Sequence, residues 1–330
     1  MKAAVYYANG TPDVLKYEDV PDPVCHAKGI VIRVEAVSIE GGDTLNRHGG
    51  PLMTTPHVVG YQAAGEIIEV GSEVTTLKVG QRVATTGGWG SHAELRAVSA
   101  KTAWVIPDGM DAKLAAVIPV TFGTADDCLF EFGRLQKGET VMVQAGASGV
   151  GVAAIQLAAR AGASMILATA SSDERLEKLK AIGLTHGINY KTHDVVQEVM
   201  RLTDKKGVNV IVDSVGGPTL QSSIGSLAYR GRVSMVGAAG REPMRVDVGS
   251  LMGGNRTHSG VFLGAEIGTD RVQKNIAKLI ADVAKGELKV MIDRTFPLSE
   301  AAAAHRYIES RQAVGARVAD PLIGCSPSGP

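Results

Sequence analysis

The chain has 330 residues, 45% hydrophobic and 21% charged, a balance that supplies a sizeable core and excludes a peptide module or wholesale disorder. Lys and Arg total 34 and Asp and Glu total 34, so no net charge draws the chain toward phosphate backbones or anionic membranes, and nucleic acid is disfavoured as a partner. Cys25, Cys128 and Cys325 are too few and too dispersed for a disulfide framework; with no signal-type apolar core and no run of about 20 apolar residues, a cytoplasmic protein without a membrane span is expected.

From residue 2 to about residue 102 the chain reads as short strand-like runs, among them GIVIRVEAVSI, AAGEIIEV and QRVATT, punctuated by Gly, Pro and polar clusters. This portion is expected to be β-rich and irregular. From residue 135 the pattern becomes a regular alternation: TVMVQAGA, GVGVAAIQLAARAG, SMILATAS, SDERLEKLKAIG, HGINY, a helical run from His193, VNVIVDSVGG, a helix over TLQSSIGSLAYRG, and RVSMVGAAG. Five strands separated by helices, apolar on both faces, predict an α/β fold with a doubly wound parallel sheet. A helix over DRVQKNIAKLIADVAKG, a strand over KVMIDRTFPL and a helix over SEAAAAHRYIESR are expected to rejoin the first portion. The end, rich in Pro, Ser and Gly, reads as a loose tail.

The segment QAGASGVG lies where the first strand of the alternation becomes a helix, with Gly146, Gly149 and Gly151 flanking Ala147, Ser148 and Val150. A sharp turn, close approach of a pyrophosphate to backbone N–H groups and tight helix packing all call for glycine there, and the helix N-terminus favours an anion. A dinucleotide is the expected ligand.

The end of the next strand selects the coenzyme. It reads ATASSDERLEK, with no acid before Asp173 to accept the hydroxyls of an NAD ribose. Arg175, with the hydroxyls of Ser171 and Tyr190, can instead donate to a 2′-phosphate, so NADPH is expected. A plainer reading also fits: Ser171 and Glu174 match a capping box, Arg175 lies on a solvated first turn, and Tyr190 fills a gap at a strand end.

The segments MKAAVYY, DTLNRHGG, GYQAAGEIIEVGSEVTTLKVGQRV, GWGSHAEL, QAGASGVG, INY, VDSVGG, GRVSMVG and SEAAAAHRYIESR occur in this order along nearly the whole chain. Together they resemble the zinc-free quinone oxidoreductase (zeta-crystallin-like) branch of the medium-chain dehydrogenase/reductase superfamily. The resemblance implies a GroES-like catalytic domain at 1–123, a Rossmann NADPH-binding domain at 124–262, a return to the catalytic domain at 263–318, and a tail at 319–330. It implies an active cleft between the two domains, in which Tyr61 and Thr124 serve catalysis and Asp43, Leu45, Arg47 and Gln62 meet the substrate. It adds Gly237, Phe262 and Leu263 as coenzyme contacts, and a homodimer paired through the strand at GVFLG, which reads otherwise as an apolar edge strand.

Zinc-dependent relatives carry Gly-His-Glu where this chain has Gly60-Tyr61-Gln62, and a Cys ligand near 38–43, so no catalytic metal is expected. His48, His57 and His92 are too scattered to form a ligand set. Many quinone reductases have Asn and Tyr where this chain has Glu40 and Leu45. Asp43 and Arg47 also fit a structural ion pair, and the Tyr61 phenol also fits a role in satisfying a buried carbonyl. The expected activity is hydride transfer from NADPH to a quinone or related electrophilic carbonyl compound. Reduction of a conjugated alkene (a 2-enoyl or enone acceptor) on the same scaffold is the alternative within enzymes. A coenzyme-binding, non-enzymatic crystallin-like or RNA-binding role is the alternative outside them.

Overall fold

The computed structural model describes residues 1–322, so residues 323–330 of the expected tail, Cys325 among them, lie outside the described residues. The chain divides into two compact units, one made of residues 1–120 and the chain from 266 onward, the other of residues 121–265.

The first unit opens with β1 (Lys2–Tyr6), β2 (Lys16–Asp19), β3 (Gly29–Ile39), α1 (Gly41–Gly49) and β4 (His57–Val58). It continues through β5 (Gln62–Val70), β6 (Arg82–Thr86), β7 (Leu95–Ser99) and β8 (Ala103–Val105) to α2 (Ala112–Asp126), whose end already belongs to the second unit. The strands GIVIRVEAVSI and QRVATT form as their β-branched residues predict. Antiparallel pairing on both sides of β3, to β5 and to β7, buries its Ile30, Ile32 and Val34.

The second unit alternates strand and helix: β9 (Thr140–Val143), α3 (Gly149–Arg160), β10 (Met165–Ala170), α4 (Asp173–Lys180), β11 (His186–Asn189), α5 (Val195–Leu202), β12 (Val208–Asp213), α6 (Pro218–Gly225), β13 (Leu227–Met235), β14 (Thr257–Gly260) and α7 (Leu263–Glu266). Its sheet runs in the order β11-β10-β9-β12-β13-β14, with every pairing parallel. Six strands form rather than five. The sixth, THSG, has no apolar residue, and its half-exposed place at the sheet edge asks for none. The helix expected over TLQSSIGSLAYRG stops at Gly225, because Ser226 turns its N–H and hydroxyl back onto the carbonyls of the last turn. LAYRG then enters β13, where Arg230 takes a positive φ of 57° at an irregularity in the pairing. GVFLG is not a strand: Gly260 ends β14, Val261 and Phe262 lie between, and Leu263 and Gly264 begin α7.

The return to the first unit consists of α8 (Asp270–Ala284), β15 (Ile292–Pro297), α9 (Ala301–Glu309) and β16 (Ala316–Asp320). The larger sheet of that unit reads β15-β16-β3-β5-β6-β8, with β7 also on β3. Phe296, Leu298, Ala301, Ala304 and Ala319 join Ile30, Ile32, Val37, Ile67 and Val83 in one core, so the core is incomplete until the chain comes back. The tail therefore starts later than residue 319: Ala319 pairs with Val37 and is fully buried. No described helix is long and apolar enough to cross a membrane.

Candidate active site

In the second unit, β9 delivers the chain to the glycine-rich turn. Ala145 adopts a positive φ of 51°, and Ser148 caps α3 by accepting the Gly151 N–H at 3.0 Å. The N–H groups of Gly149 and Val150, at the first two helical positions, have no carbonyl within the helix to bond and suit an anion. A Cβ on Gly146 would stand 2.5 Å from that of Ala168 on β10, and one on Gly151 would stand 2.5 Å from the Gly146 carbonyl oxygen. Gly146 is thus required by packing against β10, and Gly151 by the close approach of the helix to the turn's own carbonyls.

Beneath the turn lies a buried chain of hydrogen bonds that the sequence reading did not anticipate. The Ala145 N–H donates to Thr169 Oγ1 at 3.1 Å, and Thr169 Oγ1 donates to Gln144 Oε1 at 2.7 Å. Gln144 Nε2 donates to Ser223 Oγ at 3.0 Å, and Ser223 Oγ to Asp213 Oδ2 at 2.8 Å. Asp213 Oδ1 accepts the N–H groups of Val215 and Gly216. The ends of β9, β10 and β12, where a dinucleotide lies on such a sheet, are locked to one another.

At the end of β10, Arg175 Nη1 donates to Ser171 Oγ at 2.8 Å. Tyr190, exposed just beyond β11, is tied to the same strand end by its N–H on the Ala170 carbonyl. The capping-box alternative is overturned: Ser172, not Ser171, is the N-cap of α4, and the Glu174 carboxyl is held below the usual range by its own backbone N–H and then by the Ser172 hydroxyl. Arg175 does lie in the first turn of α4, where Asp173 and Glu174 are exposed, and is itself half-buried. Gly237 lies where a Cβ would meet the Ser214 carbonyl at 2.8 Å, a close approach of the loops after β12 and β13. Phe262 is exposed and Leu263 buried at the start of α7; Thr124 is buried in α2.

In the first unit, Asp43, Tyr61 and Gln62 come together around Glu40. Ser38 Oγ donates to Glu40 Oε1 at 2.6 Å, Gln62 Nε2 donates to the same oxygen at 2.7 Å, and the Glu40 N–H donates to Asp43 Oδ2 at 2.9 Å. Gln62 Oε1 accepts the Val120 N–H at 3.0 Å, one residue past Pro119, whose ring disturbs α2. Gln62 is therefore bonded at both ends of its amide and fully buried, which sets it in the protein interior rather than at an open substrate surface. Burial, with Glu40 nearby, pushes the Asp43 carboxyl well up. The Tyr61 phenol is likewise pushed up by burial and by the Asp43 and Glu40 carboxylates; its oxygen stands so close to Gly42 that a Cβ there would lie 2.7 Å away.

Arg47 is also corrected. It is sealed from solvent, donating to the Gly10 carbonyl, to His305 Nδ1 at 2.9 Å and to Glu309 Oε1 at 2.5 Å, so its ion pair is with α9 and not with Asp43. Leu45 is half-buried on the same helix. His48 is exposed, His57 packs on Tyr6, and His92 meets His305, so the three histidines do not converge. No described group of three or more His, Cys, Asp or Glu could hold a metal. A zinc site does not fit among Glu40, Asp43, Tyr61 and Gln62, whose side chains offer carboxylate, phenol and amide oxygens but no imidazole or thiolate.

Two family models match the chain, the alcohol dehydrogenase GroES-like domain over residues 26–108 and the zinc-binding dehydrogenase over residues 149–282. A quinone oxidoreductase of Pseudomonas aeruginosa is 33% identical over 96% of this chain and 98% of its own length. The chain belongs to the quinone oxidoreductase branch of the medium-chain dehydrogenase/reductase superfamily. A 2-haloacrylate reductase of a Burkholderia species is 32% identical over 96% of this chain and 98% of its own. The crystal structure of Escherichia coli quinone oxidoreductase complexed with NADPH superposes with a TM-score of 0.92, at 27% identity, over 97% of this chain and all of that one.

Arg96 of this chain likewise has no signal in the sequence. Arg96, buried and lowered by desolvation to about 9, donates from one nitrogen to the carbonyls of Tyr61 at 3.0 Å and Trp89 at 3.2 Å, and from the other to Thr85 Oγ1. No charge pattern pointed to it, because all of its bonded partners are neutral oxygens.

Proposed function

We propose that the protein transfers hydride from NADPH to a quinone or related electrophilic carbonyl compound without a metal. The observation that carries this reading is the Arg175–Ser171 pair at the end of β10, on the unit that bears the glycine-rich turn and with no acid at the strand end. Bound NADPH supplies the hydride. Gly149 and Val150 offer N–H groups to its pyrophosphate, and Arg175, Ser171 and Tyr190 offer donors to its 2′-phosphate. Tyr61, kept in the phenol form by burial and by neighbouring carboxylates, holds a proton at Oη for the oxygen of the acceptor as charge develops there. Leu45 is available to the acceptor as an apolar neighbour on α1, and Thr124, Gly237, Phe262 and Leu263 remain assigned by family resemblance. The three dispersed cysteines suit the cytoplasm, and the open edge of β14, with Phe262 75% exposed just after it, suits pairing with a second copy in a homodimer.

A second reading, reduction of a conjugated alkene, is favoured by the likeness to the 2-haloacrylate reductase, since a haloacrylate is such an alkene. Steady-state rates with NADPH across a panel of quinones and enones separate the two. Higher kcat/KM for quinones is expected; a much larger value for the enones replaces the first reading with the second. NADPH binding without turnover of any acceptor rejects both.

A further inference from the structure

Trp89 is one of two tryptophans, and unlike buried Trp104 it is 40% exposed. The turn that carries it is fixed at both ends. The Gly87 N–H donates to the Tyr61 carbonyl at 2.8 Å, and the Gly90 N–H to the Val58 carbonyl at 2.9 Å. Arg96 holds the Trp89 carbonyl on the same nitrogen that holds the Tyr61 carbonyl, so the segments bearing the indole and the phenol are bound to one buried group.

The indole lies against a built aromatic layer. Its ring centroid is 6.0 Å from that of His57 at a tilt of 38°, and Tyr6 meets His57 edge-on at 5.1 Å. His57 Nδ1 accepts the Met53 N–H at 3.2 Å, and burial lowers the imidazole, so it backs the indole as a neutral ring. Met53 is itself exposed, which puts two large apolar side chains in solvent around one buried histidine. Ordering an indole this firmly while leaving it exposed preserves a rigid π face at low entropic cost for a ligand.

We propose that Trp89 is the platform on which a flat, electron-poor acceptor ring lies, with Met53 at its margin. The proposal rests on the reading of the protein as a reductase of such acceptors, and it assigns to Trp89 the preference for flat-ring acceptors over aliphatic ones. The electron-rich indole stacks in an offset arrangement on an electron-poor ring, whereas an aliphatic enone has no ring to place there.

The test compares naphthoquinone with methyl vinyl ketone under saturating NADPH. Trp89→Ala is expected to lower kcat/KM for naphthoquinone about tenfold, mainly through KM, and to leave methyl vinyl ketone within about twofold, while Trp89→Phe recovers most of the loss. Equal losses with both acceptors, or none with either, overturn the platform while quinone reduction by the wild type still upholds the reductase reading. Binding is read separately. Naphthoquinone should quench the tryptophan fluorescence of the wild type and not that of Trp89→Phe, where only Trp104 remains. If the wild type reduces no quinone, the reductase reading falls; a Trp89-dependent quench then upholds the platform, and its absence overturns it.

Discussion

The two units each bury a polar network, and the networks are built on opposite principles. Beneath the glycine-rich turn, Ala145, Thr169, Gln144, Ser223 and Asp213 form a chain in which a carboxylate is satisfied at both oxygens by a hydroxyl and by backbone N–H groups. In the first unit, several charged groups are packed together and incompletely matched. Asp43 Oδ1, Tyr6 Oη, Arg96 Nε and Arg317 Nε are buried with no hydrogen-bond partner. Asp43 is pushed up, Arg96 and Arg317 down, chiefly by desolvation. A closed network of mostly neutral groups holds a shape, which a phosphate cradle needs. An open network of strained ionisation states responds to proton concentration and to what binds beside it.

The largest effect is expected from breaking the cradle outright. Gly151→Val pushes a side chain against the Gly146 and Ala145 carbonyls and should weaken NADPH by roughly a hundredfold or more, read by calorimetry on a protein whose circular dichroism is unchanged. Retained affinity would mean that the turn is not the phosphate site. Cutting the closed network costs less. Thr169→Val keeps the shape but deprives the Ala145 N–H of its acceptor and Gln144 Oε1 of its donor, for an expected loss of about 1–3 kcal/mol in urea unfolding. A loss within experimental error would show that water can replace the threonine.

The open network is best probed by pH. The Arg47 guanidinium can only donate, so His305 Nδ1 accepts and His305 Nε2 carries the proton toward His92 Nε2, 3.3 Å away. Both rings are neutral: burial lowers His92 to about 3 and lowers His305 well below its usual range, with Arg47 and Arg317 adding to the effect on His305. Because the folded values lie below the unfolded value of about 6.5, this stability is full above pH 6.5 and is lost as pH falls toward the folded values. For His92 alone the loss reaches about 2 kcal/mol by pH 5. Urea unfolding at pH 8 and pH 5 checks it, with His92→Asn expected to shrink the difference; the same drop in wild type and variant would place the effect elsewhere.

The sequence made the glycine-rich turn readable, but it hid both the network beneath that turn and the one in the first unit. Gly146, Gly149 and Gly151 at a strand-to-helix junction are a local signal, and the alternation around them carried the parallel sheet, except where the edge strand THSG has no apolar residue to announce it. The first unit depends on distant partners. Arg47 finds His305 and Glu309 only 258 and 262 residues later, so its neighbourhood pointed to Asp43, which instead accepts the Glu40 N–H. Gln62 meets the Val120 N–H across 58 residues, beside a proline in a helix too uniformly apolar to show periodicity. The glycines and the Arg175–Ser171 pair, which spans one turn, were legible. Side chains that close the core after the chain returns were not.

The finest test of the contrast lies at the rim of the closed side, where Arg175 is the one cation offered to the coenzyme by the reading above. Its bond to Ser171 spans a single helical turn, so losing it removes little folding stability, and Arg175→Ala should leave thermal unfolding nearly unchanged. A guanidinium facing a 2′-phosphate makes a charge-assisted contact that NADH, lacking that phosphate, cannot receive. Arg175→Ala is therefore expected to weaken NADPH about tenfold while NADH changes by less than about twofold, and Arg175→Lys to recover part of the difference as a point charge without the planar fork. The NADPH loss should shrink as salt rises, because the contact lies at a half-exposed surface. Equal small losses for both coenzymes would remove Arg175 from the coenzyme site and leave Ser171 and Tyr190 as its remaining donors at that strand end.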